Sequence, residues 1–291
     1  MIERMRVRTD LALEAKESFE GSDTEVHGVI VEEEYDEKRD IRLTRVQIVS
    51  ERGAREMGKP MGNYLTLEAP GMAAPDEDYH REISKALAFY LRELMGEEKE
   101  RSILVAGLGN RDVTPDALGP KTVSNLLITR HLIKEYGKKV MGTEKVNMVS
   151  GIVPGVMAQT GMETSEIIRG IVEQTGPDLL IVIDALAARS TKRLSRTIQL
   201  TDTGIQPGSG VGNHRNCLTE ESLGIPVIAI GVPTVVEAAA IIYDSEGNCE
   251  KMPPHLNGMF VTPKNIDETI KQLSFTLSEA LNMAFEIAGE A

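Results

Sequence analysis

Two regimes of hydrophobic patterning divide the chain. From Glu25 to about Leu67, apolar and polar residues alternate in short runs at Val26–Val31, Ile41–Val49 and Asn63–Leu67. Period-two alternation predicts half-buried strands, and the charged stretch Glu32–Asp40 predicts the turn between the first two. Three such strands make a small antiparallel meander that cannot stand alone. Asp76-Glu77-Asp78 then opens a helix to about Met95, its first-turn acids complementing the helix dipole. Beyond Arg101, apolar β-branched runs alternate with amphipathic stretches. Strands are predicted at Ile103–Ala106, Val146–Val149, Leu179–Ile183, Thr197–Leu200 and Pro226–Ile230. Helices are predicted at Gly119–Tyr136, Met162–Gln174, Val235–Tyr243 and Asn265–Ile287. This pattern predicts an α/β fold, a mostly parallel sheet with helices on both faces, plus the small antiparallel N-terminal β meander. The expected organisation is a polar lead-in over residues 1–24, a small β subdomain packed on the core over 25–75, and an α/β core over 76–291. Pro70-Gly71 and Pro75 mark the second boundary.

Composition sharpens the picture in three places. Hydrophobic residues make up 41% of the 291 positions, but aromatics only 4%, so valine, isoleucine, leucine and alanine must fill the core. A formal net charge of −13 excludes nucleic-acid binding through a general electrostatic footprint. Cys217 and Cys249, 32 positions apart, argue against a disulfide framework and a cysteine-type zinc site. The N-terminus has no apolar run resembling a secretory signal, and no stretch reaches the length of a membrane span, so an intracellular protein is expected.

The candidate chemistry lies in loops that follow strands. The first loop runs Gly107-Leu108-Gly109-Asn110-Arg111-Asp112-Val113-Thr114-Pro115-Asp116-Ala117-Leu118-Gly119-Pro120. It is not a dinucleotide fingerprint, because Asp112 stands where the third glycine belongs and carries the wrong charge for a pyrophosphate. It is not a P-loop, because no Gly-Lys-Ser/Thr closes it. Gly107 and Gly109 are expected to take positive φ and turn the backbone sharply off the strand. Asp116 then falls one turn before a helix, either as a first-turn or capping acid or as a catalytic one. The second acid, Asp184, closes the apolar run Leu179–Ile183, and Arg189 downstream is positioned to hold it ionised. Two carboxylates beyond the ends of parallel strands are the minimum equipment for acid–base work on a water molecule. The third segment, Gly208-Ser209-Gly210-Val211-Gly212-Asn213-His214, is rich in glycine. Its amides around Gly210 and Gly212 are candidates for receiving an oxyanion. His214 together with Asp116 and Asp184 is the alternative reading, a two-carboxylate, one-imidazole metal site. The small-residue loop Gly151–Gly161 is expected to border the same cleft. A non-catalytic peptide-binding module is the remaining alternative.

Taken together, Gly-Leu-Gly-Asn, Thr-Pro-Asp-Ala-Leu-Gly-Pro, Val-Ile-Asp-Ala-Leu-Ala-Ala-Arg and Gly-Val-Gly-Asn-His-Arg resemble the germination proteases of bacterial spores. Val7–Ala15 is similar to that family's zymogen processing region. A more distant similarity links the chain to hydrogenase maturation proteases. The resemblance implies an endopeptidase of atypical aspartic type, acting without a cofactor on small acid-soluble, DNA-protecting spore proteins during germination. It carries the two implicated aspartates onto Asp116 and Asp184; Asn110, Arg189, His214, Gly210 and Gly212 are candidate accessory residues by their places in the loops. It also implies a zymogen cut between Asp10 and Leu11, a homotetramer, and a location in the cytoplasm of the spore core. In the hydrogenase maturation relatives the corresponding acids and a histidine contact a metal, which is what His214 would do here.

Overall fold

The computed structural model describes residues 10–17, 27–74, 76–96, 100–142, 146–206, 216–246, 253, 256 and 258–286. Its helices are α1 (Ala12–Glu17), α2 (Glu51–Met57), α3 (Glu77–Met95), α4 (Leu118–Ser124), α5 (Arg130–Tyr136), α6 (Met157–Thr160), α7 (Thr164–Thr175), α8 (Glu220–Leu223), α9 (Ala238–Glu246) and α10 (Ile266–Ala284). Its strands are β1 (Val29–Asp36), β2 (Ile41–Ile48), β3 (Gly62–Glu68), β4 (Ser102–Gly107), β5 (Met148–Ile152), β6 (Leu179–Ala188), β7 (Thr197–Thr201), β8 (Val227–Glu237) and β9 (Phe260–Val261).

Among the described residues the strands form one sheet, in the order β1-β2-β3-β7-β8-β6-β4-β5, with β9 paired to β8. The segment β8-β6-β4-β5 is parallel throughout and β1-β2-β3-β7-β8 is antiparallel. The fold is therefore the expected α/β architecture. Its meander is continuous with the core, because β3 pairs with β7 over Tyr64–Glu68.

Helices cover both faces. On one, α3 and α10 pack together over the central strands, and their buried positions explain why. Ile83, Leu87, Leu91 and Met95 of α3 and Ile270, Leu273, Leu277 and Leu281 of α10 recur at helical spacing and close the main core. The Asp76 carboxylate caps α3 by accepting from the Tyr79 N–H at 3.0 Å. Inside the helix pair, His80 Nδ1 meets Thr276 Oγ1 at 2.7 Å and Ser84 Oγ donates to the Thr276 carbonyl at 3.0 Å, so these buried polar atoms are satisfied. On the opposite face, Ile168 and Val172 of α7 cover Leu104, Ala106, Leu180 and Val182. Further along that face, Ala12 and Met57 cover Val46, Ile48 and Tyr64. The sheet between these two patches is left for other work.

Several boundaries differ from the sequence expectation. The helix expected over Gly119–Tyr136 is two helices, α4 and α5. Thr129 breaks it by bonding β5: its N–H donates to the Val149 carbonyl and its hydroxyl accepts from the Val149 N–H. The first strand begins three residues later than expected and runs through Glu32, Glu33 and Glu34. An edge strand tolerates exposed acids, and Glu32 stands opposite Arg45. Strands β6 and β8 each run well past the apolar runs that announced them, because they continue to pair beyond the end of β4.

Tyr64 provides a test of core burial. Its hydroxyl donates to the Pro60 carbonyl at 2.9 Å and accepts from Thr203 Oγ1 at 3.2 Å, and burial pushes its pKa up to about 12. An unfolded tyrosine ionises near pH 10, so this stabilisation is fully present below about pH 10 and is lost as pH rises through about 12. Tyr64→Phe is expected to lower stability at neutral pH by about 1 kcal/mol through the lost hydrogen bonds. It should also flatten the alkaline decline by on the order of 2 kcal/mol. Urea midpoints at about pH 8 and about pH 11 measure both; an equally steep alkaline decline in the variant would refute the assignment.

Candidate active site

The parallel strands deliver both candidate aspartates to one end of the sheet. Pairing of β4 with β6 ends at Gly107 opposite Ile183, and Asp184 is the next residue of β6. Asp184 is thus inside its own strand but one step past its β4 partner. Its carboxylate is buried at 7% exposure, and Oδ1 accepts from the Ala185 N–H at 3.0 Å.

Asp116 arrives by a tightly folded loop. Leu108 continues from β4 and donates its N–H to the Ile183 carbonyl at 2.8 Å. Gly109 then turns the chain at φ +108°, and a side chain there would run into the Asp116 carbonyl at 2.0 Å. Gly107, by contrast, does not have positive φ; it is needed for close approach. A Cβ on Gly107 would stand 2.2 Å from the Gly119 carbonyl oxygen. Pro115 stiffens the single 3-10 turn Thr114–Asp116, and Thr114 Oγ1 anchors that turn to Asp267 of α10 at 2.9 Å.

The N-cap of α4 is Ala117, with no side-chain capping bond. The Asp116 carboxylate folds back on its loop, where Oδ2 accepts from the Asn110 N–H at 2.7 Å. Residues of the 3-10 turn approach both β6 and β8 within 8 Å between Cα atoms.

Asn110 is a hub. Its side-chain oxygen accepts from the Asp112 N–H at 3.0 Å and from Gln159 Nε2 at 3.0 Å. Gln159 belongs to the small-residue loop Gly151–Gly161, which therefore does border this site. Arg189 places its guanidinium over the Tyr243 ring at 5.7 Å and donates its backbone N–H to Glu14 at 2.8 Å. His214, Gly210 and Gly212 lie outside the described residues. Among the described residues no group of three or more His, Cys, Asp or Glu side chains is arranged to hold a metal, and no helix is long and apolar enough to cross a membrane.

A row of residues that sequence reasoning missed crosses the same face of the sheet. Thr44 stands opposite Thr66, Thr66 opposite Gln199, Gln199 opposite Gly231, and Gly231 opposite Asp184. Directly opposed residues share a face, so the row leads from the meander to Asp184.

The N-terminal segment lies over this row. Asp10 exchanges two hydrogen bonds with Ala187 of β6: its N–H donates to the Ala187 carbonyl at 3.3 Å, and Oδ2 accepts from the Ala187 N–H at 3.0 Å. Leu11 is fully buried. The Glu14 carboxylate, also buried, accepts from the Arg189 and Ser190 N–H groups at 2.8 and 3.0 Å and pairs with Arg193 at 3.4 Å.

Comparison with known proteins gives the site its context. The family description "Germination protease" matches residues 7–248. A germination protease of Caldanaerobacter subterraneus is 45% identical, covering 98% of this chain and 96% of its own length. One from Clostridium perfringens is 43% identical over 96% of this chain and 95% of its own, and one from Bacillus cytotoxicus is 49% identical over 84% and 67%. Among solved structures, a NiFe hydrogenase maturation protease from Thermococcus kodakarensis is similar at 20% identity and a TM-score of 0.35, covering 66% of this chain and 99% of that one. The class these relatives define is that of the peptidases, enzymes whose substrates are proteins. Within it, the chain belongs to the germination protease family.

Proposed function

We propose that this protein is an endopeptidase that starts the degradation of small acid-soluble, DNA-protecting spore proteins during germination, using water activated between Asp116 and Asp184. The observation that carries this reading is the packing of the Asp116 turn against β6, the strand that holds the buried Asp184 just past the end of β4. One carboxylate takes a proton from water as it attacks the peptide carbonyl. The other, protonated, gives its proton to the departing amine. Asn110 holds Asp116 through its backbone N–H, and Gln159 holds Asn110. The reading includes synthesis as a zymogen that processes itself between Asp10 and Leu11, assembly as a homotetramer, and residence in the spore core. Membership in the germination protease family supports the substrate class.

Incubating the purified protein with a small acid-soluble spore protein and resolving the products by mass spectrometry tests the proposal. A few defined internal fragments are expected, and they should persist after exhaustive chelation. Binding without fragments would leave only a peptide-binding module. Loss of cleavage on chelation, restored by a divalent metal, would replace the aspartic mechanism with a metallopeptidase one.

A further inference from the structure

We infer that Lys59 and Gln199 form a cradle for the carbonyl oxygen of the Asp10–Leu11 bond and stabilise the charge it gains during self-cleavage. The inference rests on the processing reading above and assigns groups that act on that one bond. Lys59 Nζ donates to the Asp10 carbonyl oxygen at 2.7 Å, and Gln199 Nε2 approaches the same oxygen at 3.5 Å. Gln199 also reaches across the bond, accepting from the Ala12 N–H at 2.7 Å through Oε1. One side chain thus grips the peptide on both sides of Leu11, whose side chain is fully buried.

The position of this grip is equally specific. Gln199 is separated from Asp184 only by Gly231 in the cross-strand row, and Asp10 is paired to Ala187, three residues beyond Asp184 on β6. Burial lowers the Lys59 pKa, with Asp10 and Glu14 as the charged groups facing it and opposing that fall. An ammonium kept largely out of water and aimed at a carbonyl oxygen interacts more strongly once that oxygen gains charge.

In the step proposed, water adds to the Asp10 carbonyl carbon and the carbonyl π electrons move onto oxygen, where the Lys59 ammonium and the Gln199 amide share the charge. Collapse of that intermediate breaks the carbon–nitrogen bond. The Leu11 nitrogen leaves with a proton as a new α-amino group, and Asp10 keeps a terminal carboxylate. No oxidant or second substrate is needed.

The test follows the appearance of an N-terminal Leu11 by intact mass in the full chain and in Lys59→Met, Lys59→Arg and Gln199→Leu variants. Loss of one such donor lowers rates by roughly 100-fold or more, so Lys59→Met should slow processing by at least about that factor. Gln199→Leu should slow it as well, and Lys59→Arg should restore much of the rate. A purely structural lysine would not impose an alkaline limb on the rate. The unaltered chain should therefore slow as the amine loses its proton, while Lys59→Arg keeps its rate to higher pH. Equal processing by Lys59→Met and the unaltered chain would overturn the cradle. If melting curves show that Lys59→Met loosens the segment, Gln199→Leu and the pH profile of Lys59→Arg decide, and a shared alkaline limb overturns the inference. Failure of the unaltered chain both to form the new terminus and to cut a spore protein would instead sink the underlying proteolytic reading.

Discussion

Asp184→Asn is expected to abolish cleavage of a supplied spore protein while leaving the fold in place, and Asp116→Asn is expected to do the same. General acid–base groups contribute roughly 100- to 10,000-fold to rate, so each variant should fall by about three orders of magnitude in kcat/KM. The fold should survive because asparagine preserves the contacts that hold each side chain. Its amide oxygen can still accept from the Ala185 N–H at position 184 and from the Asn110 N–H at position 116. Steady-state cleavage assays paired with melting curves check both halves of the expectation. Near-normal turnover in either variant would mean that the water is activated elsewhere.

Gly107→Ala is expected to be severely destabilising although it adds a single methyl group. That carbon would lie 2.2 Å from the Gly119 carbonyl oxygen, 2.4 Å from its carbon and 2.9 Å from Val123 Cγ2. The opposite surface is equally crowded, since a Cβ on Gly119 would meet the Leu108 and Ile183 carbonyl oxygens at 2.5 and 2.6 Å. Two backbones cannot yield as a side chain can, so α4 must move off β4. Overpacking of this kind costs about 3 kcal/mol, and more where backbone must shift. The same displacement carries the Asp116 turn away from β6, so whatever fraction folds should also lose activity. Denaturant midpoints for Gly107→Ala, set beside Gly170→Ala, make the test internal. Gly170 lies within α7 with nothing within 4 Å of its added carbon, and alanine there should stabilise by up to about 1 kcal/mol. Similar midpoints for the two variants would show that the contact between β4 and α4 is not rigid.

Much of this fold was legible because its signals are local. The run Leu179–Ile183, the helix opened by Asp76 and the closing helix all stand where periodicity and capping placed them, since burial on a sheet or against one helix imposes a pattern within a few residues. The loop from Gly107 to Gly119 was also readable as a sharp exit toward an acid. Its physical basis was only half legible: Gly109 needs its backbone conformation, whereas Gly107 needs room for the helix that begins at Leu118. What stayed hidden was long-range. No local feature says that β3 joins β7, so the row from Thr44 to Asp184 was invisible, and with it Gln199. Lys59 follows the glycine that ends α2 and precedes Pro60, so it reads as an ordinary turn cation. Only the docking of Asp10 gives it meaning. The break at Thr129 was missed for the same reason, because its partner is a strand and not its own helix.

The outermost strand has a consequence for an enzyme whose substrates are proteins. Among the described residues Val29–Asp36 pairs on one side only, and Glu32, Glu33, Glu34 and Asp36 lie along it. A second molecule offering the same border would set like charges side by side, and an acidic peptide adding itself as a further strand would meet the same repulsion. Extended substrates of that kind are thereby discouraged from annealing to the rim of the sheet, several strands away from β6 and its Asp184.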